Sequence, residues 1–147
     1  MIVNLRRAAP SDADAVTQVL LRSREESALA VVHTPVEVRR WVGEDLIPGR
    51  CTWIALVDER IVGVAAVEDD WLVQHYVVPE AQEHGVGRAL LDVAKEHSAG
   101  ALQIHLYQRN VRAQRFYAAA GFVVTAAGNG EANPDGEPDL VMSWRQE

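Results

Sequence analysis

Residues Val77 to Glu96 read VVPEAQEHGVGRALLDVAKE. A short apolar run ends at Pro79, and six residues on Gly85-Val86-Gly87 opens an amphipathic segment. Leu90, Leu91 and Ala94 recur at helical spacing, which predicts a helix from Gly85 to about His97 with those three inward. Ala99-Gly100 stops it. The pattern puts two glycines and a row of free backbone amides at a helix start, directly after a strand.

Upstream, IVNLRRA predicts a strand over Ile2 to Arg7. Pro10-Ser11-Asp12 marks a helix start, with Ser11 as the cap and Asp14 three residues on. Ala15, Val16, Val19 and Leu20 carry that helix to about Glu26. Ser27 to Thr34 is a connector, and Pro35 suits the first turn of a second helix reaching about Asp45. Pro48-Gly49 closes the unit. Three strands follow: CTWIALV, RIVGVAAVE and WLVQHYV, joined by short turns at Asp58-Glu59 and Asp69-Asp70.

Downstream of the glycine helix, ALQIHLY alternates apolar and polar residues, a strand with a polar row of Gln103, His105 and Tyr107. Asn110 to Ala120 is a helix ended by Gly121. FVVTAA and LVMSW are the last two strands, and GNGEANPDGEP between them is a loop. The order is β-α-α-β-β-β-α-β-α-β-β. This is an α/β (α+β) chain, with a mixed central sheet of about seven strands flanked by four helices. No repeat or linker divides residues 1–147, so one domain is expected.

Composition narrows the function. The formal charge is −7, from 14 basic and 21 acidic residues, and no basic patch for nucleic acid is visible. No apolar stretch reaches the ~20 residues a membrane helix needs. No secretory leader is visible at the N-terminus, so the expected compartment is cytoplasmic. The single cysteine, Cys51, reads as a small hydrophobe at a strand start rather than a nucleophile. The five histidines share no compact metal-ligand spacing, so no metal is expected.

The first amides of a helix lack intrahelical partners, and the helix dipole adds partial positive charge there. Such an end accepts an anion, and glycines at 85 and 87 leave the backbone open to a phosphate. Taken alone, the same glycines read first as close packing of the helix on the sheet. A Walker loop is excluded, because Arg88-Ala89 follows Gly87 where Lys-Ser/Thr is required. A dinucleotide fingerprint fits poorly, because Leu90 stands at the third glycine position.

A second motif decides between these readings. Gln82, Gly85 and Gly87 form Q-x-x-G-x-G, and Asn110, Ala113, Phe116, Tyr117, Gly121 and Phe122 form N-x-x-A-x-x-F-Y-x-x-x-G-F. Together they resemble the GCN5-related N-acetyltransferase (GNAT) family, and the strand and helix order matches that fold across nearly the whole chain. The resemblance implies acetyl-CoA as cosubstrate and transfer of its acetyl group to a primary amine. His75, Tyr76 and Val77 would then supply a strand edge for pantetheine. Glu83, His84, Gly85, Val86, Gly87 and Arg88 would wrap the pyrophosphate, with Gln82 opening the motif. Asn110 would cap its helix and contact pantetheine.

By the same resemblance Tyr117 is the general acid that protonates the departing thiolate. A phenol with an ordinary pKa near 10 is protonated at neutral pH and can donate. The plain alternative is a core aromatic. For the base, the family position five residues before the asparagine is held here by His105. His105 reads equally well as a base and as a histidine satisfied by the sheet edge. His75 and Gln74 are rivals by position, though Gln cannot be a base. Direct attack in a ternary complex is expected, since neither motif holds a cysteine.

The acceptor side is expected from the two N-terminal helices, their connector with His33 and Thr34, and the last hairpin loop. That loop carries Glu131, Asp135, Glu137 and Asp139 and reads mainly as solvated, with attraction of a cationic amine as the alternative. The expected partner is a small-molecule or peptide amine, with neither nucleic acid nor membrane. Family members often pair through their C-terminal strands, which allows a homodimer by analogy. A CoA-binding sensor without turnover and a transferase of longer acyl groups are the alternative functions.

Overall fold

The computed structural model describes residues 2–23 and 33–147. Seven strands form one sheet: β1 Asn4–Arg7, β2 Cys51–Val57, β3 Arg60–Glu68, β4 Trp71–Val77, β5 Ala101–Tyr107, β6 Val123–Gly128 and β7 Asp139–Arg145. Their spatial order is β1-β2-β3-β4-β5-β7-β6. Four helices accompany them among the described residues: α1 Ala13–Arg22, α2 beginning at Pro35–Trp41, α3 Val86–Glu96 and α4 Val111–Ala119. α2 continues through a π-helical turn, Val42–Leu46, and ends at Ile47–Gly49. This is the mixed sheet and element order read from the sequence. The expected end of α1 near Glu26 and most of the connector after it lie outside the described residues.

The start of α1 differs from the expectation. A 3₁₀ turn, Pro10–Asp12, leads into α1; Asp12, not Ser11, stands at the N-cap position, but its side chain does not cap α1 and instead braces the turn. Its carboxylate accepts from the Ala9 amide at 2.6 Å and from both terminal nitrogens of Arg6 at 2.8 and 3.0 Å. A buried carboxylate holding three donors also ties α1 to β1. α2 begins as its sequence suggests: Thr34 accepts from the Glu37 amide, and Glu37 accepts from the Thr34 amide.

The core lies between the sheet and the helices. Val16, Val19 and Leu20 of α1, with Val38, Val42 and Leu46 of α2, are fully buried. Leu90, Leu91 and Ala94 of α3 bury as their spacing predicts. Gly63 on β3 allows α3 to approach, since a Cβ there would lie 2.9 Å from a Leu90 methyl and 3.3 Å from Val86.

Two irregularities in β4 shape the middle of the sheet. Ala66 pairs with Gln74 but Val67 pairs with Leu72, so Val73 is an extra residue in the strand. The bulge puts Leu72, His75 and Val77 on the face toward α3, and Trp71, Gln74 and Tyr76 on the opposite face. The second irregularity is on the other edge. β4 and β5 run parallel, and their pairing is confined to Trp71↔Gln103. Beyond that point the strands part. β5 turns to an antiparallel ladder with β7 that runs along its whole length. The result is a slot in the centre of an otherwise continuous sheet.

Candidate active site

The slot opens beside the glycine turn. Gly85 has a φ of 84° and ends the turn just before α3. A Cβ on it would meet nothing within 4 Å, so the space over the turn is open. Glu83 also adopts a left-handed backbone, with φ 66°, without glycine's freedom. Gln82 holds the loop to β4, donating from Nε2 to the Val77 carbonyl at 3.0 Å. A cavity of about 260 Å³ is lined by His75, Tyr76, Val77, Gln82, Glu83, Gly85, Gly87, Arg88 and Asn110, with Arg112 and Phe116.

Most of the residues singled out for pantetheine and pyrophosphate therefore converge. Two side chains do not. Val86 is buried in the core, and His84 is exposed outside the cavity lining, so only their backbones are offered to the turn. Arg88 lies over the turn but pairs with Asp92 one helical turn on, at 3.1 Å. Sequence reasoning missed Arg112. It donates to Gln82 Oε1 at 2.6 Å and lies 3.4 Å from Glu83, placing a guanidinium at the mouth of this cavity. Only its position on the first turn of α4, three residues after Asn110 less one, hinted at this.

Asn110 caps α4 as expected, its Oδ1 accepting from the Ala113 amide at 3.1 Å. That cap fixes the helix that carries Tyr117. The Tyr117 ring is 4% exposed and packs edge-on against Phe116 and Phe122, with centroids 5.1 and 5.3 Å away. Its hydroxyl is hydrogen-bonded to His75 Nδ1. His75 Nε2 in turn donates to the Gly87 carbonyl at 2.8 Å. Loss of solvation pushes the His75 pKa down to about 4, against a smaller opposing effect of the Gly87 hydrogen bond. The imidazole is neutral at pH 7.

A second cavity of about 430 Å³ continues from the slot and reaches the other face of the sheet. Trp71, Gln74 and Tyr76 line it from β4, and His105 and Tyr107 from β5; Tyr117 and Asn110 border it too. The His105 side chain is 63% exposed, packs at a tilt against Trp71 with centroids 5.4 Å apart, and lies 3.5 Å from Asp139. Gln74 Oε1 is buried and has no hydrogen-bond partner in the protein.

The loop between β6 and β7 is mostly exposed, as its composition suggested, but several of its side chains are partnered. Tyr107 donates its hydroxyl to Asp135, Arg109 faces Glu137 at 3.5 Å, and Asn133 donates to the Glu137 carbonyl at 2.9 Å. Burial and the Asp135 carboxylate together hold the Tyr107 phenol far above its ordinary range, so it stays a donor. Asp135, held by Tyr107, and Asp139, at the start of β7, both line the larger cavity. Among the described residues, no group of three His, Cys, Asp or Glu is placed to hold a metal ion. No helix among them is long and apolar enough to cross a membrane.

Comparison with known proteins agrees with this geometry. Residues 48–124 match the model of the acetyltransferase (GNAT) domain. The chain belongs to the GNAT family. Over 94 residues it is 32% identical to the peptidyl-lysine N-acetyltransferase YiaC of Escherichia coli; the match spans 63% of this chain and 62% of that relative. A GNAT-family acetyltransferase structure from Bacillus cereus superposes with a TM-score of 0.79 at 18% identity, covering 100% of this chain and 99% of the other. YncA from Salmonella typhimurium, solved with its cofactor acetyl-CoA, gives 0.78 at 17% identity, covering 100% and 95%. At those identities the two structures establish the fold. The glycine turn and the whole of α4 lie inside residues 48–124.

Proposed function

We propose that the protein is an acetyl-CoA-dependent N-acetyltransferase that moves an acetyl group to a primary amine by direct attack in a ternary complex. The parting of β4 from β5 after a single residue pair, beside an open glycine turn and a buried phenol, is the observation that carries this reading. The slot offers the free edge of β4 to an extended, amide-bearing chain such as pantetheine. The turn offers amides to a pyrophosphate, with Arg112 and Arg88 as flanking cations. YncA was solved with acetyl-CoA, which suits a site of this construction.

Acetyl-CoA supplies the activated thioester. Toward it, the chain's own groups divide the work. A backbone amide near Val77 faces the oxyanion formed when the amine adds to the carbonyl carbon. Tyr117 gives its hydroxyl proton to sulfur as the C–S bond breaks and the electron pair leaves with sulfur. His105, directly or through water, takes the proton that the amine nitrogen sheds. His75 is a poor rival for that role, because both its nitrogens are engaged and its basicity is depressed.

The acceptor enters through the larger cavity, between Trp71 and the pinned β6–β7 loop. Asp135 and Asp139 favour an acceptor with positive charge near its amine, and the free Gln74 oxygen suits an N–H donor. The peptidyl-lysine acceptor in the name of YiaC makes lysine peptides the first class to assay. The test is calorimetric titration with acetyl-CoA, CoA and succinyl-CoA, followed by an amine screen read by thiol release. Binding of acetyl-CoA with thiol release on a lysine peptide is expected. No binding of any CoA would sink the transferase reading.

A further inference from the structure

Tyr117 belongs to the second sequence motif, but its partner His75 belongs to neither. Their contact joins three elements: β4 through His75, α3 through the Gly87 carbonyl, and α4 through Tyr117. A carbonyl only accepts, so Nε2 carries the imidazole proton. Nδ1 of the neutral ring is then a lone pair, and the Tyr117 hydroxyl must be the donor to it. The ring is fixed from other sides as well, with the Phe116 and Tyr117 centroids 5.8 and 5.7 Å away.

We infer that His75 is the positioning residue of the reaction: it holds the Tyr117 phenol at the slot and keeps it in its protonated form. The inference rests on the assignment of Tyr117 as the acid. A lone pair facing the phenol oxygen favours O–H over a phenolate, because the phenolate would face Nδ1 with no proton between them. Turning the O–H from Nδ1 toward sulfur gives up the hydrogen bond to His75, and the phenol oxygen need not move. After transfer a proton returns to the phenolate from solvent water, and the same lone pair favours that return. The neutrality of His75 is essential, since a protonated ring would stabilise the phenolate instead. Desolvation keeps it neutral at working pH. The bulge at Val73 makes the arrangement reachable, by turning residue 75 toward α3 and α4.

The test combines a spectroscopic and a kinetic readout on the full chain. Nitrogen-15 NMR of labelled histidine should find His75 as the Nε2–H tautomer at pH 7, with an Nδ1 resonance that moves in Tyr117→Phe. His75→Phe keeps the ring and removes both hydrogen bonds. It should lower kcat roughly tenfold or more while the acetyl-CoA Kd stays within about twofold. His75→Asn, which can present an acceptor near the Nδ1 position, should recover part of the lost kcat; it also serves if the phenylalanine variant does not fold. An Nδ1–H tautomer, an Nδ1 signal indifferent to Tyr117→Phe, or an unchanged kcat in both His75 variants would each overturn the inference. A wild-type chain that binds acetyl-CoA but transfers to no amine would instead overturn the acid role of Tyr117, and the inference with it.

Discussion

His75 on β4 and His105 on β5 flank the same slot, yet they are opposites in environment. His75 is enclosed by α3 and α4, hydrogen-bonded at both nitrogens, and held neutral by loss of solvent. His105 stands on the other face, largely in water, beside Asp139 and against Trp71. The first environment suits a residue that orients a donor. The second suits one that exchanges protons with solvent and substrate. One residue type thus occupies two different environments, and what separates them is which face of the sheet the backbone presents.

The largest effect should come from the donor wall. Gly87→Glu is expected to weaken acetyl-CoA binding by at least ~100-fold, about 2.7 kcal/mol, measured by calorimetry. A Cβ at position 87 would meet Phe116 and Val77 at 3.7 Å, an ordinary contact, so alanine should fold. The loss in the glutamate variant would then come from bulk and negative charge at the helix start. Retained binding would place the phosphate site elsewhere.

Next in size, Tyr117→Phe should lower kcat by roughly 10²–10³ with little change in the KM for acetyl-CoA. Steady-state kinetics separates the two, and an unchanged kcat would return Tyr117 to the core. On the opposite wall, His105→Ala should cost about tenfold in kcat at neutral pH and alter the acidic limb of the pH–rate profile. An unaltered limb would make His105 a structural residue packed against Trp71 and leave water as the base.

The contrast between the walls also marks how far the sequence could be read. Glycine spacing, the Asn110 cap and strand alternation give the element order because each acts within a few residues. The convergence of Gln82, Gly85, Gly87 and Asn110 on one cavity followed from the paired motifs. The faces of β4 did not. Strict alternation would put Trp71, Val73 and His75 on one side, and one extra residue, visible only in the pairing with β3, moves His75 to the other. The partners of the loop before β7 were hidden for a related reason: the loop is mostly exposed, but Tyr107 and Arg109, each 28 residues from its acidic partner, hold Asp135 and Glu137. Ser11 does not cap α1, because a 3₁₀ turn precedes the helix and its carboxylate, Asp12, is held by Arg6 and the Ala9 amide.

The smallest effect sharpens the comparison without substrate. The unfolded chain takes up a proton on His75 near the ordinary histidine pKa of about 6.5, whereas the folded chain does so only near 4. Between those values the unfolded state binds more protons, so stability rises with pH and is lost as pH falls from about 6.5 toward 4. Asp12 acts in the same direction at lower pH. Its folded pKa is depressed by the Arg6 hydrogen bonds, so its contribution is present above the unfolded carboxylate range and lost on acidification through the folded value. Thermal melts from pH 7 to pH 4.5 should therefore show a declining Tm. The His75→Phe variant should flatten that decline while Asp12 still contributes nearer pH 4. A decline of equal slope in the variant would mean that His75 is solvated enough to charge in the folded state, and the distinction between the two walls would lose its electrostatic basis.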